Sequence, residues 1–141
     1  MAILSATDAT KVREMLGAMT SPVRLVFFTQ SLNCETCEPT GQILSELAAL
    51  SDLVIVEEHN FVLERDEAAK YGISRVPAIA VLGAEDHGIR FLGIPSGYEF
   101  MSLLDAILLV SKGDSELTKE SRALLAGLEE PVTLQVFVTP T

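Results

Sequence analysis

Cys34-Glu35-Thr36-Cys37 sets two cysteines two residues apart, and the 141-residue chain has no others. Two sulfurs at this spacing can bridge each other, so the chemistry open to them is thiol–disulfide exchange. The attacking species is the thiolate, and a free cysteine ionises only near ~8.5. The pair follows the apolar run Val23–Phe28 and precedes a helical pattern, Ile43–Leu50. Cys34 would therefore stand at a helix start, where unpaired N–H groups and the positive dipole end stabilise a thiolate. Cys34 is the expected nucleophile. Cys37, one turn on and more buried, is the expected resolving thiol. Local charge opposes the dipole, because Glu35 lies between the cysteines and Glu38 follows them. Carboxylates disfavour a nearby thiolate, so only a modest depression of the Cys34 pKa is expected.

Other residues qualify as supporting groups. Pro77 directly precedes the run Ala78–Leu82. A proline there can take the cis form and leave the Val76 backbone free to pair with an extended substrate. The plainer alternative is a trans proline opening an edge strand; with the cysteine pair upstream, the cis form is expected. Arg75 would offset the local carboxylates if it lies near the thiol, and is otherwise a solvated cation. Of Glu57 and Glu58, one points inward if its strand alternates. Glu58 beneath Cys37 would serve as that thiol's proton acceptor. His59 and His87 could join the cysteines in a Cys₂His₂ zinc set, but no second close ligand pair exists. An iron–sulfur cluster shared between two subunits is the remaining metal alternative. The expectation is no metal and no cofactor beyond the redox-active disulfide. Tyr71 and Tyr98 read as packing residues.

The elements that must position these groups follow from periodicity. Asp8–Met19 reads as a helix capped by Asp8, with Val12, Met15, Leu16 and Met19 at helical spacing. Ser21-Pro22 breaks it. Val23–Phe28 is a buried strand. A helix with Pro39 in its first turn carries Ile43, Leu44, Leu47 and Leu50. Leu53–Val56 is a second strand, and Glu64–Tyr71 a short helix stopped by Gly72. Ala78–Leu82 and Ile89–Leu92 form a hairpin. Gly97–Val110 is a final amphipathic helix. The order αβαβαββα gives an α/β protein with a mixed four-stranded sheet and helices on both faces. It is the order of the thioredoxin fold with an extra N-terminal helix.

Composition narrows the partners. The length supports one domain with a real core, and a hydrophobic share of 48% argues against disorder. Ten basic against twenty acidic residues leave a net charge of −10, which argues against nucleic acid or an anionic membrane as partner. No secretory signal or membrane-length apolar run is seen. Two cysteines without a signal point to a reducing, cytoplasmic setting.

Residues 1–112 form the unit described so far. The polar stretch from Ser111 to Thr118 reads as a connector, with the linker proper at 113–118. Lys119–Leu128 is a short helix. Pro131–Thr139 then resembles Pro22–Thr29, a period of 139 − 29 = 110 residues. A repeat of domain size implies two tandem units. Residues 119–141 would be the first helix and strand of a second, truncated one. Uncovered, the strand Val132–Val138 is expected to add to a second copy as a homodimer, to join its partner unit's sheet, or to stay mobile.

Three segments carry a family resemblance: Cys34-Glu35-Thr36-Cys37, Tyr71-Gly72-Ile73-Ser74-Arg75-Val76-Pro77, and Arg90 to Phe100 with its Gly93-Ile94-Pro95-Ser96-Gly97 core. The chain resembles, over essentially its whole length, the N-terminal unit of the protein disulfide oxidoreductases, or glutaredoxin-like proteins, of thermophiles. Those proteins join two thioredoxin-fold units, each with a Cys-x-x-Cys. The resemblance implies that Cys34 attacks, Cys37 resolves, and Pro77 is cis and shapes the substrate groove. It implies dithiol–disulfide exchange with protein thiols and disulfides, with a thioredoxin reductase-like flavoprotein as reductant. The tail Val136–Thr141 looks like the strand leading to the family's second motif, which is absent here. A further departure is Phe28, six residues before Cys34, where thioredoxins place a buried Asp. Two alternatives accompany this reading. One is a redox-inactive thioredoxin-like docking module. The other is an electron-relay domain like the N-terminal part of the flavoprotein that serves a peroxide-reducing system.

Overall fold

The computed structural model describes residues 1–139; Pro140 and Thr141, the end of the tail compared above with a second motif strand, lie outside them. Five helices and four strands are described: α1 Ala6–Leu16, β1 Val23–Thr29, α2 Cys37–Ala48, β2 Val54–Asn60, α3 Arg65–Lys70, β3 Ala78–Leu82, β4 Ile89–Leu92, α4 Tyr98–Lys112 and α5 Lys119–Ala126. The sheet order is β2-β1-β3-β4. β1 and β2 run parallel, while β3 is antiparallel to both β1 and β4.

Alternation along β1 sorts the core into two layers. Val23, Leu25 and Phe27 face α1, α2 and α4, meeting Val12, Leu16, Leu44, Leu47, Leu104 and Ile107. Val26 and Phe28 face the other way, toward Ala68 of α3 and Ile73. β1 and β3 are buried on both faces, and so read as unbroken apolar runs in sequence.

Several boundaries differ from the sequence reading for local reasons. α1 begins at Ala6, because Ser5 rather than Asp8 is its cap. Ser5 Oγ accepts the Asp8 N–H at 3.1 Å and donates to Asp8 Oδ2 at 2.6 Å. β2 continues through Glu57, Glu58, His59 and Asn60, which look like a loop in sequence. It is an edge strand, so polar side chains there keep their water. Ser111 is not part of a connector. It lies buried in the last turn of α4 and binds the turn before β1. Its Oγ accepts the N–H groups of Thr20 (2.9 Å) and Ser21 (3.0 Å) and donates to the Ser21 carbonyl (2.7 Å).

Beyond α4, Gly113 closes the helix at φ +70, a conformation glycine takes without steric cost. α5 follows, capped by Thr118. The run 132–138 pairs with no strand of the sheet, and Val132, Leu134, Val136, Phe137 and Val138 are exposed.

Candidate active site

The cysteine pair occupies the junction between β1 and α2. Thr29 ends β1, and Gln30 Nε2 donates to the Leu32 carbonyl at 2.7 Å, folding the loop back. Asn33 then takes a left-handed φ of +57, a region asparagine enters more readily than most residues. Cys34 follows, half-buried, and Cys37 opens α2 with 2% of its surface exposed. The two sulfurs form a disulfide.

Thr36 is the residue before the first turn of α2, and its side chain caps no amide. Its carbonyl instead accepts from Thr40 Oγ1 at 2.6 Å and from the Thr40 N–H at 3.1 Å. The helix start therefore offers its amides to whatever charge develops at the sulfurs. Gly41 lies one turn further along α2. A methyl group there would come within 3.2 Å of the Phe27 ring, so α2 lies close on the aromatic floor of the site.

A cavity of about 690 Å³ opens beside the disulfide. It brings together Cys34, Cys37, Glu35, Glu38 and Glu58, over Phe27 and Thr29 of β1. None of its lining residues is basic. Glu58 thus shares the cavity with the cysteines, but its side chain is exposed rather than buried beneath Cys37. Strand alternation does bring it to the cysteine side, with Glu57 on the opposite face. There Glu57 takes a bidentate pair of hydrogen bonds from Arg24 (Nε and Nη2, both 2.7 Å), which hold its pKa below the usual carboxylate range.

Phe28, at the place where thioredoxins carry an acid, points away from the cysteines and stacks on His59 with ring centroids 5.4 Å apart. Phe27 is the ring that borders the cavity. His59 Nδ1 is also 2.8 Å from Glu64 Oε1, and Glu64 Oε2 accepts the Asn60 N–H at 2.7 Å. These contacts, with the His59 side chain bonded to Glu64, lower the Glu64 pKa and fix the exit from β2.

The Val76–Pro77 peptide is cis. Phe28 pairs with Ala78, so this peptide lies at the same end of the sheet as the cysteine loop. Pro77 is buried, Val76 half-buried and Arg75 exposed. None of the three borders the cavity of the disulfide, and Arg75 makes no ion pair among the described residues. The loop is held from below by Arg90, whose Nε donates to the Tyr71 carbonyl at 3.0 Å while its guanidinium lies over the Tyr71 ring. Tyr71 packs against Phe28. Sequence reasoning passed over Asn33, Gln30 and Asn60; only the polar residues flanking the motif could have drawn attention to them.

Among the described residues, no group of three or more His, Cys, Asp or Glu is placed to hold a metal ion. His87 lies exposed in the β3–β4 turn, apart from His59 in β2. Among the described residues no helix is long and apolar enough to cross a membrane.

A disulfide-bonded Cys-x-x-Cys at the strand-to-helix junction of this sheet defines a thiol–disulfide oxidoreductase domain. No protein-family model matches the chain. It is 31% identical over 84 residues to a probable thioredoxin of Methanothermobacter thermautotrophicus, covering 59% of this chain and 93% of that protein. The chain belongs to the thioredoxin family. It is also 33% identical over 144 residues to the alkyl hydroperoxide reductase AhpF of Staphylococcus epidermidis, covering 99% of this chain but 25% of that protein. The crystal structure of a protein disulfide oxidoreductase from Aeropyrum pernix superposes with a TM-score of 0.80 at 27% identity. That match covers 91% of this chain and 56% of the archaeal one.

Proposed function

We propose that the protein exchanges electron pairs with protein disulfides through Cys34 and Cys37. The observation that carries this reading is the asymmetry of the pair: Cys34 is half-exposed at an uncapped helix start, and Cys37 is buried behind it. In the reducing direction the Cys34 thiolate attacks a substrate disulfide. That S–S bond breaks, the first substrate sulfur leaves as a thiolate and takes up a proton, and a Cys34–substrate mixed disulfide forms. Cys37 gives up its proton, attacks Cys34 Sγ, and expels the second substrate sulfur. Two electrons have passed to the substrate and the Cys34–Cys37 bond is restored. Glu58, across the shared cavity, is the proposed acceptor of the Cys37 proton. Val76 and Pro77 are the proposed rest for the extended substrate backbone, with Arg75 beside them.

Regeneration of the dithiol calls for a reductant, and a thioredoxin reductase-like flavoprotein is the proposed one. A cytoplasmic setting fits a chain whose only cysteines are the exchanging pair. Residues 1–112 are the proposed catalytic unit, 113–118 its linker, and 119–141 the start of a second thioredoxin-like unit. Insulin reduction driven by dithiothreitol, with Cys34→Ser beside the wild type, tests the activity. Acceleration by the wild type alone is expected; equal rates would end the reading.

The 33% identity with the staphylococcal alkyl hydroperoxide reductase runs through 99% of the chain and favours one second reading. In it the same dithiol relays electrons from a flavoprotein to a peroxide-reducing partner. Faster reoxidation of the reduced pair by an oxidised peroxidase than by insulin would select the relay.

A further inference from the structure

Two cavities meet beside the disulfide, and they differ in chemistry. The first, described above, carries Glu35, Glu38 and Glu58 beside Cys34. The second, of about 230 Å³, lies between the tips of the β1–α2 and β2–α3 loops and is bordered by Leu32, Val62 and Leu63. Gln30, Ser31 and Asn60 border both, so the two form one continuous groove.

The apolar end is unusual for a surface. Leu32 and Leu63 are 78% and 81% exposed, and Val62 is 50% exposed. Isolated apolar residues on a surface need no explanation, but three gathered at one end of an active-site groove do. They are also held in place by the groove's own floor. Gln30 Nε2 binds the Leu32 carbonyl. Asn60 Oδ1 accepts the N–H groups of Val62 at 3.0 Å and Leu63 at 3.1 Å. A loop tip fixed this way presents its side chains without first having to order itself.

The charged end is equally one-sided. Glu35, Glu38 and Glu58 make no ion pair among the described residues, unlike Glu57, which Arg24 neutralises on the opposite face. Unpaired carboxylates around a half-open sulfur repel acidic peptides and draw basic ones. The ligand site is the exchangeable sulfur itself; the carboxylates and the apolar tips select what reaches it.

We infer that the groove takes an extended peptide bearing a basic residue on one side of its cysteine and a large apolar residue on the other. The basic side chain lies among Glu35, Glu38 and Glu58, and the apolar one enters the space between Leu32 and Leu63. The inference rests on the reading of Cys34 as the attacking sulfur.

The test uses short peptides whose single cysteine is a mixed disulfide with 2-nitro-5-thiobenzoate. The reduced protein attacks the bond and releases the coloured thiol, followed by stopped flow. Flanking residues are Lys and Leu, Glu and Leu, Lys and Ser, or Ser on both sides, with Lys and Leu made in both orders. At low salt the better Lys–Leu order is expected to react about tenfold faster than Glu–Leu, the scale of electrostatic steering in a focused cleft. That advantage should shrink in high salt, while the advantage of Leu over Ser persists. In Glu35→Gln/Glu38→Gln the ratio of Lys–Ser to Ser–Ser rates should fall toward one. In Leu32→Ser/Leu63→Ser the Leu preference should vanish. Using ratios within each variant removes the effect of any general loss of activity. Equal rates for all peptides, or a charge preference blind to salt, would overturn the inference while leaving the redox reading in place. No reaction above the Cys34→Ser background with any peptide would remove both.

Discussion

Phe27 of β1 stands opposite Glu58 of β2 in the parallel ladder, and both border the cavity of the disulfide. The floor under the cysteines is thus an aromatic ring, and the carboxylate reaches the site from the neighbouring strand. Moving the acid one strand over leaves it wet. General acid–base groups contribute about 10²–10⁴ in rate when well placed. For an exposed group acting across a cavity the lower end, or less, is expected. Glu58→Gln should slow resolution of the Cys34 mixed disulfide by about tenfold near neutral pH and flatten its pH dependence. Single-turnover release of the second substrate thiol measures this. A profile that superposes on the wild type removes Glu58 from the chemistry.

Glu35 and Glu38 should tune the equilibrium of the pair. Reduction creates a thiolate at Cys34, and a carboxylate nearby destabilises that charge. Removing the carboxylate therefore stabilises the reduced form and raises the potential. Charges about 4 Å apart in water interact by ~1 kcal/mol, which for a two-electron couple corresponds to roughly 20 mV. Glu35→Gln and Glu38→Gln should each raise the potential by on the order of 10–20 mV, read by equilibration with glutathione. A drop in either variant contradicts the assigned electrostatics.

Ser111 ties the end of α4 to the turn before β1 across 90 residues of sequence. Ser111→Ala would leave two backbone N–H groups and a carbonyl without the hydroxyl they bind. Buried groups stripped of a partner cost about 1–3 kcal/mol. A loss of about 2 kcal/mol in denaturant unfolding is expected. A loss below about 0.5 kcal/mol would mean that water replaces the hydroxyl freely.

The β3–β4 turn makes stability depend on acid. Arg90 donates to both oxygens of Asp86 (2.9 and 2.6 Å), and the Gly88 N–H adds a third bond. These hold the Asp86 pKa down to about 2, against an ordinary 3.8. A depressed carboxylate stabilises the fold above its unfolded pKa, and that contribution fades as pH falls through the folded one. The pair is partly open to solvent, so screening limits it to under about 1 kcal/mol. Asp86→Asn should be slightly less stable than wild type at about pH 6. The gap should close between about pH 4 and about pH 2 in parallel urea titrations. A gap that stays constant through that range would deny the pair its role.

The catalytic pair could be read from two cysteines and an apolar run, because Val23–Phe28 is buried on both faces and carries no competing pattern. The exchange of Ser5 for Asp8 as cap was not visible, since both residues suit that position and only the backbone decides. The second half of β2 escaped notice because an edge strand has no need of apolar side chains; Glu57 to Asn60 satisfy themselves through Arg24, Glu64 and water. Ser111 looked like connector for the same reason: its value lies in Thr20 and Ser21, far off in sequence. The groove is assembled from Leu32, Asn60 and Leu63 on two separate loops, so neither its apolar end nor its continuity could be seen before the loops were placed together.

β1 is bonded along both edges and sealed on both faces, with Leu25, Val26, Phe27 and Phe28 at 0–1% exposure. Its amides can trade hydrogen for deuterium only when the whole sheet opens, so they rank with the slowest in the molecule. Oxidation and reduction therefore leave this strand alone. Electron transfer is confined to motion of the short segment from Gln30 to Thr36, and each turnover starts from an unaltered frame.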